Sequence, residues 1–518
     1  VRGFKRSLRY TSGMPDILLT TINARYVHAA LGLRYLAANM GDLAPHTHIV
    51  EFVLGQRAFE IVEDLLALKP RIIGIGVYIW NVEECTRVVA LLKRVAPHVK
   101  VIVGGPEVSY ETAEQRICAL ADYVVTGWGD VTFPKLAREI IDGAAPASKV
   151  IAGEQPPLAQ LVLPYTQYTD EDIAKRFIYV EASRGCPFKC EFCLSALDKT
   201  AWPFELDAFM AELEKLYERG ARNFRFVDRT FNLKVAVSER ILEFFLARMD
   251  DHLFMHFELI PDHLPEKLKQ SIARFPPGAL HFEIGIQTFN TEVQTRISRR
   301  QDDAQAEANI RWLREQSNAL IHVDLIAGLP GEDLASFGRG FDRLHALKPH
   351  EIQVGILKRL RGAPIDRHTE THQLRYNPDP PYNVLATDCI TFADMQRVSR
   401  FARYWDLIGN SGRFHQSLPL LLGATPFDNF MRFSDWLYGE THKTHEFAFE
   451  RLCEFMQTHL TQVACVDVTV ATAAVLTDYQ ASGARGRLSF MDVGVRTRDA
   501  QSATARARMR QARHVTTV

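Results

Sequence analysis

Cysteine is scarce in this chain, eight residues in 518. Five of them (Cys85, Cys118, Cys389, Cys453 and Cys465) are scattered among largely apolar neighbours and read mostly as buried thiols. That scarcity excludes a small disulfide-stapled scaffold. No apolar run is long enough to span a membrane. Charge of one sign is also missing: 61 Lys and Arg stand against 62 Asp and Glu, a formal net charge of -1. Such a balance gives no global field for nucleic acid or a membrane surface. No internal repeat is visible. The basic opening Val1-Arg2-Gly3-Phe4-Lys5-Arg6 has no apolar segment behind it, so a cytoplasmic protein is expected rather than a secreted one. With Met14 just ahead of the first apolar run, residues 1–13 are expected to lie outside the fold.

What is present is a long β-α alternation. A chain of this length divides into two or three domains. Over residues 14–142, short apolar runs (17–21, 48–52, 72–77, 99–103, 123–126) alternate with amphipathic segments (31–39, 59–68, 82–95, 133–141). The pattern predicts a doubly wound parallel sheet with helices on both faces. Four runs end in turn chemistry: Thr21-Ile22-Asn23, Tyr78-Ile79-Trp80-Asn81, Gly104-Gly105-Pro106 and Gly127-Trp128-Gly129-Asp130. Ligands of such sheets sit beyond the carboxyl ends of the strands, so these loops would line one crevice. Residues 143–165, rich in Pro and small residues, read as a linker.

The alternation resumes with candidate strands at 177–181, 223–227, 254–259, 280–286, 319–326 and 351–356. Six β-α steps predict a partial (β/α)6 barrel over residues 166–375, its active site at the carboxyl ends of the strands. Residues 376–495 read as a helical domain, with helices over 384–408 and 447–465 and no strand between them. Tyr382, Arg403, Tyr404, Trp405, Arg413 and Phe414 there suit either a lid over the barrel or the domain's own core. The Arg-rich segment 496–518 reads as a disordered tail.

Three cysteines fall within eight positions, in Ser183-Arg184-Gly185-Cys186-Pro187-Phe188-Lys189-Cys190-Glu191-Phe192-Cys193. Three thiolates can hold three irons of a cubane cluster and leave the fourth open to a ligand. Gly185 and Pro187 suit a tight loop, and Arg184 and Lys189 would offset the cluster's charge. A Cys3His zinc site would want a nearby histidine, and none follows within the next fifty residues. A ferredoxin would want a fourth cysteine in the run.

With this motif the chain resembles the radical S-adenosylmethionine (SAM) superfamily. The resemblance implies a [4Fe–4S] cluster on Cys186, Cys190 and Cys193, with SAM chelated on the open iron. One electron then cleaves SAM to methionine and a 5′-deoxyadenosyl radical. Strand ends carry the likeness further, toward oxygen-independent coproporphyrinogen oxidase and its relatives. His256-Phe257-Glu258-Leu259-Ile260-Pro261-Asp262 places Glu258 at the methionine amino group. Phe282-Glu283-Ile284-Gly285-Ile286-Gln287 turns Gln287 to the cofactor. Ile297-Ser298-Arg299-Arg300 gives Arg299 to the methionine carboxylate, although Ser298 stands where the family has Asn. Val323-Asp324-Leu325-Ile326-Ala327-Gly328-Leu329-Pro330-Gly331 sets Asp324 near the ribose. Phe226-Val227-Asp228-Arg229-Thr230-Phe231 adds Asp228 and departs from its pattern at Arg229. Phe192 would pack near the adenine. No catalytic residue is singled out.

The order of a doubly wound domain and then a barrel resembles the cobalamin-binding class of that superfamily, with a C-terminal extension found in one bacterial subgroup. This implies cobalamin in the first crevice, near Thr21, Asn23, Tyr78, Trp80, Gly104, Gly105, Gly127 and Gly129. The Asp-x-His-x-x-Gly pattern that supplies a cobalt ligand elsewhere is absent, and His28 reads as structural. The implied activity is methyl transfer to an unactivated carbon of a small molecule or peptide, with flavodoxin or ferredoxin as electron donor. Neither membrane nor nucleic acid is an expected partner. The alternatives are a tetrapyrrole carrier on the same scaffold, or a tRNA methylthiotransferase-like enzyme.

Overall fold

The structure is a computed structural model describing residues 15–198, 200–484 and 486–490. The expectations for residues 1–13 and for the tail 496–518 lie outside the described residues. The chain divides into two compact units. One takes the described residues to 182, with 202–221 and 360–362; the other takes 183–201, 222–359 and the described residues from 363.

The first unit is built on a six-stranded sheet, β1 (Ile17–Asn23), β2 (Thr47–Val53), β3 (Ile72–Gly76), β4 (Lys100–Gly104), β5 (Tyr123–Thr126) and β6 (Val150–Ala152). Its order is β2-β1-β3-β4-β5-β6, every neighbour parallel. All seven residues of β1 are buried, as befits a strand covered on both faces. Its alternate side chains feed two separate cores. Leu18 packs with Ile61, Val88, Leu92 and Ile117 on one face. Ile17 and Leu19 pack with Leu33, Ala37, Phe133 and Leu136 on the other. The stretch expected to be a linker instead carries β6. Two of its three residues are exposed, so it had no hydrophobic pattern to read.

In the second unit, the strands Asn223–Phe226, Phe254–Leu259, Leu280–Gln287, Leu320–Ala327 and Glu351–Ile356 lie side by side in chain order, all parallel. The sixth candidate strand forms as β7 (Ile178–Val180), which falls in the first unit. Side chains alternate across these strands. Phe226, Phe257, Phe282, Ile284, Val323 and Leu325 are buried on one parity. The other parity is polar almost throughout: Arg225, His256, Glu258, His281, Glu283, His322, Asp324 and Glu351.

The C-terminal part of this unit holds the helices Phe392–Leu407, Ser417–Leu422, Pro426–Thr441, Phe449–Gln462 and Val468–Ala481. The helix expected from 384 starts later. Val384–Ala386 is a strand, antiparallel to Arg375–Tyr376, and Thr391 caps the helix through Asp394 N at 3.2 Å. The aromatic residues there belong to the unit's own core and not to a lid, while Arg403 is exposed. Trp405 is 4% exposed and meets Phe341 and Phe430 edge-on; Tyr382, Tyr404 and Phe414 are buried too. Arg413 lies over the Phe449 ring. Phe427 is seated on Gly338, where an added Cβ would stand 2.5 Å from its ring. Cys85, Cys118 and Cys453 are buried as expected, while Cys389 and Cys465 are exposed. No described helix is long and apolar enough to cross a membrane.

Candidate active site

The cysteine loop lines a cavity of about 240 Å³ in the second unit. Cys186, Cys190 and Cys193 all reach its wall, with Phe188 and Phe192 from the same loop. Gly185 opens the loop at φ 94°, a left-handed conformation glycine adopts at little cost. Burial pushes the Cys186 thiol up to about 11, so that sulfur needs a bound cation to become a thiolate; an iron–sulfur cluster fits the three-cysteine donor set.

The loop is fastened by Glu191, which is 4% exposed. Its carboxylate accepts hydrogen bonds from Ser298 Oγ at 2.5 Å, from Arg367 Nη2 and Nε at 2.6 and 2.8 Å, and contacts His368 Nε2 at 2.9 Å. Its backbone also bonds Ile297 O and Ile365 N. Sequence reading passed over Glu191, because its partners are far off in the chain. Lys189 does not face the cluster position; its ammonium donates to the carbonyls of Ala196 and Asp198.

Glu258, Gln287, Arg299 and Asp324 line the same cavity. Asp228 does not: it is 3% exposed and accepts a hydrogen bond from Ser183 Oγ at 2.7 Å. Strand parity explains the difference. Asp228 continues the buried face of Phe224 and Phe226, whereas Arg229 continues the polar face of Arg225 and lines the cavity. Arg229 Nη1 lies 3.0 and 3.2 Å from the Glu258 oxygens. Burial nevertheless raises the Glu258 carboxyl above its ordinary range.

Gln287 sits at φ 71° beside a register shift between Gly285 and Gln287, and its Oε1 is buried without a hydrogen-bond partner. Such a strained, unsatisfied group marks a place for a ligand. Arg299 donates to Gly285 O and to Gln301 Oε1 at 2.7 Å, with Nη1 3.5 Å from Cys190 Sγ. Two carboxylates on the wall are each backed by a histidine: Glu283 by His256 at 3.4 Å, and Asp324 by His322 at 3.2 Å. Burial opposes the charge on His322, yet Asp324 and Glu351 raise it to about 9. Burial and the adjacent Asp324 raise the Glu283 carboxyl. Counting back by two from Glu258 and Asp324, and by four from Gln287, would have found His256, His322 and Glu283.

In the first unit, the loops carrying Tyr78 and Trp80, Gly104 and Gly105, and Gly127 and Gly129 follow the adjacent strands β3, β4 and β5 and so come together. Tyr78 and Trp80 stack with ring centroids 4.4 Å apart, and Trp80 is 47% exposed. Gly105 has φ 113° and passes so close to Val77 that an added Cβ would stand 2.5 Å from its carbonyl oxygen. Gly127, at φ 67°, has nothing within 4 Å of that position. The result is an open crevice with a flat aromatic wall. Thr21 and Asn23, by contrast, are turned inward. Thr21 Oγ1 donates to Gly76 O and accepts from the fully buried Asn81, and Asn23 Nδ2 donates to Glu51.

Glu51 belongs to a buried quartet with Arg34, Asp172 and Arg176. Burial raises the Glu51 carboxyl, but the two guanidiniums hold it near about 2. The quartet fixes the loop after β1 through Ala30 N and Tyr26 O. His28 is engaged with Tyr179 at 2.6 Å and against Phe177.

Comparison with known proteins finds three matched segments. Residues 17–137 match the B12 binding domain, residues 180–343 the radical SAM superfamily, and residues 370–488 a protein family of unknown function (DUF4080). An uncharacterized methyltransferase of Pyrococcus horikoshii is 30% identical over 39% of this chain and 49% of that protein. The cobalamin-dependent radical SAM methyltransferase TokK of Streptomyces tokunonensis is 24% identical over 61% of this chain and 51% of its own. The chain thus spans about half the length of these curated relatives. In fold it is similar to the radical SAM methyltransferase TsrM of Kitasatospora setae, solved with cobalamin and a [4Fe–4S] cluster. The TM-score is 0.57 at 17% identity, over 73% of this chain and 82% of that one.

Proposed function

We propose that this chain, which joins a B12 binding domain to a radical SAM domain, is a cobalamin-dependent radical SAM methyltransferase acting on an unactivated carbon. The observation that carries this reading is the single cavity that gathers Cys186, Cys190 and Cys193 with Glu258, Gln287, Arg299 and Asp324. When bound, the reduced cluster supplies the electron that cleaves the SAM sulfonium, and cobalamin carries the methyl group.

The chain's own residues bind and orient. Cys186, Cys190 and Cys193 hold three irons, and Glu191 keeps their loop in place. Glu258 accepts from the methionine ammonium of SAM, in competition with Arg229. Gln287 has an unspent acceptor for the cofactor. Arg299 serves the methionine carboxylate, Asp324 accepts from the ribose, and Phe192 covers the adenine. Asp228 supports Ser183 at the start of the loop and does not touch the cofactor. Tyr78, Trp80, Gly105 and Gly127 would hold cobalamin, with Thr21 and Asn23 behind them. With His28 engaged elsewhere, the chain offers no histidine to cobalt among those loops. The electron comes from a flavodoxin- or ferredoxin-type donor in a low-oxygen cytoplasm.

Anaerobic reconstitution with iron, sulfide and hydroxocobalamin tests the reading. The expected result is cluster and cobalamin absorption bands, with 5′-deoxyadenosine formed on reduction in the presence of SAM. Deoxyadenosine without bound cobalamin would overturn the methyltransferase assignment and keep the radical enzyme.

A further inference from the structure

The cavity wall leaves cationic capacity unspent. Four carboxylates line it: Glu258 has Arg229, Asp324 has His322, Asp262 accepts from Asp302 N at 2.8 Å, and Glu283 lies 3.4 Å from His256, which burial keeps uncharged. Of the three arginines on the same wall, Arg299 is committed to Gly285 O, Gln301 and Cys190. The other two are not. Arg300 is exposed and has no hydrogen-bond or ion-pair partner among the described residues. Arg229 is 55% exposed and spends only Nη1 on Glu258, leaving Nε and Nη2 open. A guanidinium forms paired hydrogen bonds with the oxygens of a carboxylate or phosphate.

We propose that the substrate carries an anionic group, a carboxylate or a phosphate ester, held by Arg229 and Arg300 at the cavity wall. This deepens the preceding section and rests on its reading of the cavity as the SAM site. Occupation of Glu258 by the SAM ammonium would loosen Arg229 from that carboxylate and turn a second guanidinium over to the substrate. SAM would then prime the anion site, and the cofactor would bind first.

The test is calorimetric titration of the reconstituted, cobalamin-loaded and unreduced protein, with and without saturating SAM. The probes are inorganic phosphate, succinate, and putrescine as the cationic control. Phosphate or succinate should bind, more tightly with SAM present, and putrescine should not. The Kd of the anion should rise about tenfold or more in Arg300→Gln and in Arg229→Gln, the loss expected for one charged hydrogen-bonded pair. The corresponding Lys variants should fall between. Binding of phosphate alone assigns a phosphate ester, and binding of succinate alone a carboxylate. The proposal is overturned if neither anion binds, or if the Gln variants bind as the wild type does. It is also overturned if those variants lose SAM instead, which would give the two arginines to the SAM carboxylate. A shifted cluster potential with unchanged anion binding would make them counter-charges to the cluster and sink it too. A protein that takes up neither iron nor SAM would refute the cofactor reading itself, before any anion is added.

Discussion

At the scale of single residues, the cysteines give the sharpest expectation. Cys190→Ala should leave the protein with a small fraction of its iron after reconstitution and desalting, because two thiolates do not close a face of a cubane. Full iron in that variant would remove the cluster from this loop. Glu332 gives a second expectation. It is 2% exposed, accepts from Thr288 Oγ1 at 2.7 Å and Ser336 Oγ at 3.2 Å, and leaves Oε2 without a partner. Burial raises its carboxyl to about 7. A carboxyl raised on folding is at its most favourable below the unfolded value, and stability is lost as pH rises through the folded one. Glu332→Gln should therefore gain on the wild type between pH 5 and pH 8, by about 1–3 kcal/mol. Urea midpoints at the two pH values would check it; an equal gap at both would discard the assignment.

At the scale of elements, the strands were readable because their periods differ. Continuous apolar runs such as Ile17–Asn23 announce a strand covered on both faces, and alternation such as Phe254–Leu259 a strand with one polar face. β6 and Val384–Ala386, three residues each, carry too little pattern, and only pairing reveals them. The same limit hid Glu191, whose meaning lies in Ser298, Arg367 and His368, 107 to 177 positions away. Glu191→Ala should free the cysteine loop. Arg367 is 62% exposed and stays solvated, so we expect a loss of about 1–3 kcal/mol in the apo protein, from the hydrogen bonds of Ser298 and His368, and faster loss of iron to a chelator. Unchanged iron release would make Glu191 a fold residue only. Gly338→Ala should cost about 1–3 kcal/mol in denaturant, since the new methyl overlaps the Phe427 ring; a neutral result would mean that the helix Pro426–Thr441 can slide.

At the scale of the whole chain, the doubly wound sheet, the second parallel sheet and the helical C-terminal region followed from the order of periodic segments. The cofactor class followed from the spacing of three cysteines and a few strand ends. The anion-binding arginines were not legible: Arg229 was visible only as a departure from a pattern, and its parity with Arg225 became clear once the strand had a face. Nor did the sequence suggest that the second compact unit includes both the cysteine loop and the C-terminal helices. The Glu191 contacts give that grouping a practical meaning for recombination. The radical SAM match stops at residue 343 and the next family begins at residue 370, yet Ile365, Arg367 and His368 sit between the two and hold the cysteine loop. A chimera crossed over at residue 343 would inherit the cysteines and leave behind the side chains that brace them. One crossed over after residue 374 would carry both, so the heritable module of this chain extends some thirty residues past its family boundary.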